Sequence, residues 1–246
     1  MKPEQSRIQI EKKPRIILWD IECTNLNANF GYMLCLGYKY LGDPKTHVIS
    51  ITDFPAFRKD PTNDYYIVKA AGEVLSAADM WITWYGSRFD VPYIQSRLVY
   101  HKLPILPPVP HVDGWRIAKY KMRLNSNRLA SVTGFLELEE KTPLTGPIWI
   151  RAAAGHKPSV KYVVDHCLQD VRVLEQVYNR IKPLMTSHPG MGILEGKLIA
   201  CPVCGSDKVQ RRGYHVTRVR KYHRFQCQKC GAWSNDGQSL ASTRLR

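Results

Sequence analysis

The chain has 246 residues, of which 44% are hydrophobic, so it can bury a substantial core and suits one sizeable domain with a small appendage. It contains neither an uninterrupted apolar run of about 18 residues nor a signal-peptide pattern, which argues against a membrane span and against secretion and predicts a cytoplasmic protein. A net charge of +15 favours a polyanionic partner, and residues 197–246 carry 11 Lys and Arg against 2 Asp and Glu.

Strands and helices alternate along most of the chain. The predicted strands occupy residues 15–22, 33–41, 47–53 and 80–86. The predicted helices occupy residues 70–79, 90–102, about 115–138, and 159–181. The first three strands have short connections and suggest an antiparallel meander, and the later alternation with helices predicts an α/β fold with a mixed sheet covered by helices.

The domain boundaries are predicted from the end of the long helix. Pro183 terminates that helix, and the Gly- and Pro-containing stretch that follows is typical of a linker. We therefore expect a large domain over residues 1–185, a linker over 186–199, and a small β module over 200–246.

Two acidic residues lie on the first predicted strand. The stretch WDIECT places Asp20 and Glu22 two residues apart, so their side chains point to the same face of the strand. Two like charges on one face repel each other. The pair therefore marks either the solvent-exposed end of the strand or part of a cation site.

Three further residues with suitable chemistry lie at the edges of predicted elements. Asp90 stands at the start of a helix, where capping is the alternative interpretation. His166 and Asp170 are one turn apart on the long helix and therefore share a face. A carboxylate cluster of this kind can hold two Mg²⁺ or Mn²⁺ ions about 4 Å apart, which activate water and stabilise the leaving oxygen of a phosphodiester.

Three segments resemble the motifs of a known superfamily: WDIECT, ITWYGSRFDVPYI and HCLQDVRVLEQVY. In this order and spacing they are similar to the motifs of DnaQ-like (DEDD) 3′-to-5′ exonucleases, whose fold is ribonuclease H-like. The DIEC sequence and the KTPLTG run ahead of the third segment resemble the branch related to the exonuclease domains of family B DNA polymerases. The resemblance covers roughly residues 14–185.

The resemblance implies a role for each acidic residue. Asp20, Glu22 and Asp170 would bind the first metal ion. Asp20 would also bridge to the second ion, which Asp90 would hold directly or through water. Members of the family place the general base as Tyr four residues, or His five residues, before the final Asp.

Here the fourth place before Asp170 is His166 and the fifth is Asp165. A histidine has an ordinary pKa of about 6.5 and can take a proton from the attacking water. We therefore favour His166 as general base over Asp165 or a mechanism that relies on the metal ions alone.

The chain departs from the family pattern at two other places. The second motif usually has Asn ahead of Phe-Asp, whereas this chain has Trp84 and Tyr85, and Cys23 follows Glu22 where many relatives have Thr. Asp113 is interpreted as a helix cap. Arg88, Lys141 and Arg151 are candidates for phosphate contact, with solvated surface cations as the alternative. Tyr32 and Trp149 are either core residues or surfaces for base stacking.

The seven cysteines fall into two classes. Cys201, Cys204, Cys227 and Cys230 form two CxxCG doublets, and this spacing predicts a tetrahedral site for one structural Zn²⁺ ion. Cys23, Cys35 and Cys167 lie in apolar or motif segments and are predicted to be buried thiols.

The sequence between the two doublets interleaves cations with aromatic residues, which is typical of a β-hairpin with a nucleic-acid-binding face. It is similar to the zinc ribbons of transposases and other nucleic-acid proteins. The candidate nucleic-acid-binding residues of this ribbon are Arg211, Arg212, Arg218, Arg220, Lys221 and Arg224. We expect the ribbon to hold the substrate.

Three hypotheses follow for the function. The first is a two-metal 3′-to-5′ exonuclease that releases nucleoside monophosphates and acts on DNA in preference to RNA, with a polymerase or another replication or repair protein as candidate partner. The second is a structure-specific endonuclease or RNase on the same fold. The third is a non-catalytic nucleic-acid-binding adapter, which the presence of all four acidic residues disfavours.

Overall fold

The computed structural model describes residues 13–139, 143–197 and 199–243. It divides into two compact units, an N-terminal unit over Arg15–Asn179 and a C-terminal unit that holds the chain from Arg180 onward. The predicted α/β class is confirmed, with a mixed sheet and helices in the N-terminal unit and a small antiparallel sheet in the C-terminal unit. None of the helices in the described ranges has the length and apolarity needed to cross a membrane.

The N-terminal unit is built on a five-stranded sheet. Its strands are β1 (Ile16–Cys23), β2 (Met33–Tyr40), β3 (Thr46–Ser50), β4 (Met80–Thr83) and β5 (His111–Asp113). Their order is β3-β2-β1-β4-β5, in which β1 pairs antiparallel with β2 and parallel with β4. The central position of β1 explains its apolar run, since Ile16, Ile17, Leu18 and Trp19 are all buried.

Six α-helices begin within the described residues of this unit. They are α1 (Tyr65–Ser76), α2 (Asp90–Tyr100), α3 (Gly114–Lys121), α4 (Leu129–Phe135), α5 (Gly146–Ala153) and α6 (Lys157–Ile181). Helix α6 packs over Gly37 of β2: a Cβ at Gly37 would lie 2.8 Å from Cys167 Sγ and 3.2 Å from Val171 Cγ2. The absence of a side chain at Gly37 therefore lets α6 approach the sheet closely.

The sequence predictions differ from the structure in several places, and α5 was not predicted. Strand β5 forms directly after the proline-rich passage, and the Pro110 carbonyl accepts a hydrogen bond from the Trp81 N–H at 2.9 Å. The strand predicted over 80–86 ends at Thr83. The helix predicted over 115–138 is two helices, because the intervening sequence contains Asn and Ser side chains that compete for backbone hydrogen bonds.

After the end of α6 and a 3₁₀ turn over Lys182–Leu184, the described residues of the C-terminal unit form four strands and one short α-helix. These are α7 (Met191–Leu194), β6 (Val209–Val216), β7 (Arg220–Cys227), β8 (Trp233–Asn235) and β9 (Ala241–Ser242). Strand β7 pairs antiparallel with β6 on one side and with β8 and β9 on the other. The buried hydrophobic cluster of this unit comprises Cys201, Val203, Cys227 and Ala232.

The segment 186–199, predicted as a linker, contains α7. The Met191 N–H donates to the Pro202 carbonyl at 2.8 Å, and Lys197 Nζ donates to the Gly205 carbonyl at 3.0 Å. This segment is therefore attached to the first cysteine doublet.

Candidate active site and zinc site

The acidic pair of β1 lies on the face of the sheet that α6 covers. Asp20 and Glu22 are half-buried, whereas Ile21 between them is fully buried, as the alternation of a strand requires. Asp20 pairs directly with Gly37, over which α6 packs. The Cys167 thiol of α6 contacts the Asp20 carbonyl at 3.5 Å.

Helix α6 brings two of its own residues to Glu22. Ligand atoms of Glu22, His166 and Asp170 all lie within 4.8 Å of one another, and His166 Nε2 is 3.7 Å from Asp170 Oδ2. The side chains of His166 and Asp170 are buried because this face of α6 packs toward the sheet. The i, i+4 spacing thus produces the shared face that the sequence predicts.

Asp20 joins this group through a common cavity. A cavity of about 430 Å³ is lined by Asp20 and Asp170 together with five residues of other segments. Those five residues are Trp84, Tyr85, Trp115, Arg128 and Leu129. The cavity therefore has an acidic wall on β1 and α6, and aromatic and basic side chains from other segments line the rest of it.

Asp90 occupies a different position. It is the first residue of α2, it is buried, and its Oδ1 accepts a hydrogen bond from the Ile21 N–H at 3.2 Å. Strand β4 pairs with β1 only as far as Leu18, so the Ile21 N–H needs another acceptor. Asp90 lies outside the group of Glu22, His166 and Asp170. Burial raises the pKa of its carboxyl to about 7.

The donor chemistry of this site fits divalent cations. Carboxylate oxygens are the ligands that Mg²⁺ and Mn²⁺ prefer, and a cation would offset the mutual repulsion of Asp20 and Glu22. Asp165, the alternative general base, is 57% exposed and forms an ion pair with Lys161 at 2.8 Å. His166 is thus the candidate base that lies with the acidic residues.

Asp113 organises the loop that contains the second motif. It caps α3 by accepting the Trp115 N–H at 3.1 Å, in agreement with its interpretation as a cap. It also accepts the Tyr85 N–H at 2.8 Å, and the Ser87 N–H and hydroxyl at 3.1 and 2.5 Å. Tyr85 has a φ of 69°, a left-handed conformation that is unusual for an aromatic residue.

Three lining residues of the cavity, Trp115, Arg128 and Leu129, were not predicted from the sequence as site residues. Trp115 follows Asp113 by two residues, so its position depends on the helix cap. Arg128 precedes α4 in the segment that was predicted to be helical throughout. The signal available in the sequence was Asn-Ser-Asn at 125–127. These residues interrupt the predicted helix, and Arg128 follows them at the start of α4.

The three cysteines outside the doublets are buried, as predicted. Burial raises the pKa of Cys23 to about 12, and a hydrogen bond with Cys35, together with burial, raises that of Cys167 well above the usual value. Both thiols beside the acidic residues are therefore protonated at neutral pH, which disfavours a cysteine nucleophile.

The predicted phosphate contacts lie in different places. Arg88 is exposed and lines a second cavity, of about 480 Å³, with α2 and the loop after β1, and Arg151 is exposed on α5. Lys141 lies outside the described residues. The Tyr32 hydroxyl donates to the Ala153 carbonyl, and Trp149 packs against the core.

The four cysteines of the C-terminal doublets converge. Their sulfur atoms all lie within 4.8 Å of one another, with Cys201 and Cys230 at 3.7 Å and Cys204 and Cys227 at 3.6 Å. A tetrahedral ZnS₄ site with Zn–S bonds of about 2.3 Å requires S···S separations of about 3.8 Å. The cluster therefore fits one structural zinc ion.

Each doublet forms a tight turn. The N–H of Gly205 donates to the Cys201 carbonyl at 2.9 Å, and the N–H of Gly231 donates to the Cys227 carbonyl at 3.0 Å. Both glycines have positive φ, 68° and 78°, which a side chain would disfavour. Burial raises the pKa of Cys227, but backbone hydrogen bonds from Cys230 and Lys229 outweigh it and bring the pKa to about 7. A thiolate, the form that binds zinc, is thus accessible there.

The ribbon presents cations and aromatic rings together. Lys221 Nζ lies 3.9 Å from the centre of the Tyr214 ring, and the Arg224 guanidinium lies 4.9 Å from that of Trp233. Tyr214 and Trp233 are both 45% exposed. The predicted cations that are exposed are Arg211, Arg212, Arg218, Arg220 and Arg224.

Comparisons with known proteins agree with this architecture. A family model described as the RNase H superfamily matches residues 17–182. No curated protein sequence matches this chain. The structure of the family B DNA polymerase from the hyperthermophilic archaeon Pyrobaculum calidifontis is similar over 85% of this chain, with a TM-score of 0.56 and 13% sequence identity. The matched region is 32% of the polymerase, so this chain spans about a third of its length, and the likeness concerns the fold. The chain belongs to the RNase H superfamily.

Proposed function

We propose that this chain is a metal-dependent 3′-to-5′ exonuclease that hydrolyses terminal phosphodiester bonds and releases nucleoside monophosphates. The observation that carries the proposal is the convergence of Glu22, His166 and Asp170 within 4.8 Å, beside a cavity that Asp20 also lines. The exonuclease outcome and its direction rest on the resemblance of the three motifs, and the nucleic-acid substrate rests on membership of the RNase H superfamily.

The acidic residues would hold the divalent cations. Asp20, Glu22 and Asp170 would hold the first cation, and Asp90 would help to hold the second from the start of α2. When bound, such cations lower the pKa of water and neutralise charge at the phosphorus. In their absence the acidic wall repels a phosphate, so substrate binding and metal binding are expected to be coupled.

His166 is proposed as the general base. Its Nε2 lies 3.7 Å from Asp170 Oδ2, so the ring is beside the acidic residues. In this role the imidazole accepts the proton that the attacking water releases and returns it to solvent. Asp165 is unsuited to the role because its carboxylate is exposed and paired with Lys161.

The C-terminal ribbon is proposed to hold the substrate. Its exposed cations neutralise phosphates, and its exposed Tyr214 and Trp233 rings offer surfaces for unpaired bases. These contacts with phosphates and bases do not depend on the base sequence, so the ribbon would lengthen the time for which any strand stays bound. The resemblance to polymerase exonuclease domains favours DNA over RNA, and a polymerase or another replication or repair protein is proposed as partner.

The experiment uses DNA and RNA oligonucleotides labelled at the 3′ or the 5′ end, single-stranded or duplex, with Mg²⁺ or Mn²⁺. Stepwise shortening from the 3′ end supports the proposal. Internal cuts instead indicate an endonuclease, faster loss of RNA indicates an RNase, and binding without cleavage indicates an adapter.

Two variants make this experiment specific. Asp20→Asn removes a metal-binding charge and should abolish cleavage, so undiminished cutting by this variant would refute the assignment. His166→Ala should slow cleavage strongly while oligonucleotide binding persists, and Asp165→Asn, on the same helix but exposed, serves as its matched control with normal cleavage.

A further inference from the structure

Positive charge is concentrated on the chain from α3 to the start of α4. Residues 116–128 contain five Lys and Arg and no Asp or Glu, whereas the whole chain has 36 of the basic residues and 21 of the acidic ones. All five side chains are exposed: Arg116, Lys119, Lys121, Arg123 and Arg128. We call the first four the α3 cations. An accumulation of one sign of charge raises the local concentration of an oppositely charged partner.

Solvated surface cations are the ordinary alternative, but they are usually interspersed with acidic residues. On α6, for example, the exposed Lys161 pairs with Asp165 at 2.8 Å. Within the described part of the chain, no ion pair joins an acidic residue to any of the five cations of residues 116–128. A bound polyanion would therefore offset their mutual repulsion.

Both ends of this basic segment reach the cavity beside Asp20 and Asp170. Trp115 is the second residue of α3, Arg128 immediately precedes α4, and both line that cavity. The α3 cations lie between these two points along the chain and do not line the cavity. They are thus placed to contact parts of a substrate that lie outside it.

Aromatic rings hold one of these cations in place. Lys119 Nζ lies 4.7 Å from the centre of the Trp115 ring and 5.4 Å from that of the Tyr120 ring. Such contacts position the ammonium group, whose N–H groups can still donate to an oxygen acceptor. Tyr120 itself is 64% exposed. Exposed rings among cations are typical of surfaces that bind single strands, because the cations contact phosphates and the rings contact bases.

The length of α3 fits several phosphates. Its eight residues span about 12 Å. Phosphates of one strand recur about every 3.4 Å along a duplex axis, so a stacked strand presents about three of them along the helix. We propose that the α3 cations bind internal phosphates of the strand whose terminal phosphodiester bond is hydrolysed at the acidic residues. This inference rests on the proposed function, and it predicts that longer strands bind more tightly than a dinucleotide does.

The test measures how strand binding depends on salt. Lys119→Gln, Lys121→Gln and Arg123→Gln are combined in one variant, and fluorescence anisotropy gives its affinity for a labelled single strand, with Asp20→Asn present in every protein to prevent cleavage. Each phosphate contact with a single strand contributes about 0.7 to the slope of log affinity against log salt, so three lost contacts should lower the slope by about 2. Raising the salt from about 50 to about 200 mM should then weaken binding by the parent protein about 20-fold more than binding by the variant.

The matched control combines Arg58→Gln, Lys59→Gln and Lys69→Gln. These exposed cations precede α1 or lie on it, so the control loses the same charge from other elements of the same unit and should keep the parent slope. The C-terminal ribbon is unchanged in every protein compared, so its phosphate contacts cancel. Equal slopes for the parent and the α3 variant would overturn the inference and favour an acidic protein as the partner of this surface. An equal loss of slope in the control would also overturn it.

Turnover separates this inference from the proposed function. The p-nitrophenyl ester of thymidine 5′-monophosphate has a phosphodiester bond but no internal phosphate, so the α3 variant with Asp20 intact should hydrolyse it as wild type does. The same variant should have a KM for long single strands that is roughly 10-fold higher. Absence of hydrolysis of ester and strand alike by wild type would reject the proposed function, and the salt slopes would still decide whether these cations contact a strand.

Discussion

Asp113 holds the backbone of Tyr85 and Trp115, two residues that line the cavity beside Asp20 and Asp170. Replacing Asp113 by asparagine tests how far their position depends on its carboxylate. One of its oxygens accepts the N–H groups of Tyr85 and Trp115, and the other accepts the N–H and hydroxyl of Ser87. Asparagine keeps the shape of the side chain but has one carbonyl oxygen and one NH₂ group, which cannot accept.

The expected cost follows from these contacts. If the asparagine oxygen faces Tyr85 and Trp115, its NH₂ group faces Ser87, whose hydroxyl can rotate to accept from it. The Ser87 N–H then loses its partner, and the two remaining N–H bonds lose the charge of the acceptor. Because Ser87 is exposed, water replaces part of the loss, so we expect Asp113→Asn to lower the free energy of unfolding by about 1–2 kcal/mol. Alanine removes all four bonds and should cost about 2–4 kcal/mol.

Urea denaturation followed by circular dichroism measures the stability, and hydrogen exchange of the Tyr85 and Ser87 amides locates the change. Both amides should exchange faster in Asp113→Asn. The KM for single strands should rise, because Tyr85 and Trp115 are held less firmly beside the cavity. Asp165→Asn, an exposed acid with one ion pair, is the control and should change stability by less than about 0.5 kcal/mol. Stability and amide protection equal to wild type in Asp113→Asn would refute the reasoning.

Three further predictions concern other parts of the chain. Cys204→Ser should abolish binding of one zinc ion per chain, measured by atomic absorption. It should also unfold the ribbon while the circular dichroism of the helices persists, because the small hydrophobic cluster of the ribbon cannot fold without metal. Asp64→Ala should destabilise the protein by about 3–5 kcal/mol in urea titrations, because it leaves the buried Arg97, paired with it at 2.6 Å, without a counter-charge. Burial lowers the pKa of His111 below its ordinary value of 6.5, so on acidification this side chain is protonated in the unfolded chain before it is protonated in the folded protein. The free energy of unfolding should therefore decrease as the pH falls below about 6.5, and His111→Gln should show a smaller decrease when stability is measured against pH.

The acidic pair, the helical His-Asp pair and the cysteine doublets could be predicted because each depends on local periodicity. A period of two places Asp20 beside Glu22, and a spacing of four places His166 beside Asp170, wherever the strand and helix pack. The short loops of the CxxCG sequences likewise fix their own geometry.

The aromatic and basic lining of the cavity beside Asp20 and Asp170 could not be predicted in the same way. Trp115 and Arg128 reach the cavity through a cap formed by Asp113 and through a break between α3 and α4. The hydrogen bonds from Tyr85 to Asp113 cross 28 residues of sequence and depend on the pairing of β4 with β5. Strand β5 has three residues, too few for a periodic signal, so this pairing is decided by tertiary packing.

The close approach of α6 to Gly37 has a consequence for the proposed metal site. A methyl group at position 37 would meet Cys167 Sγ at 2.8 Å and its carbonyl oxygen at 3.2 Å, and the backbone atom can yield only if the helix moves away from the sheet. Such a movement carries His166 and Asp170 away from Glu22 by a few tenths of an ångström. Mg²⁺ takes ligands at about 2.0–2.1 Å and Ca²⁺ at about 2.3–2.6 Å, a difference of the same size. The absence of a side chain at Gly37, a residue that binds no metal, would thus set how closely the proposed metal ligands of α6 approach Glu22.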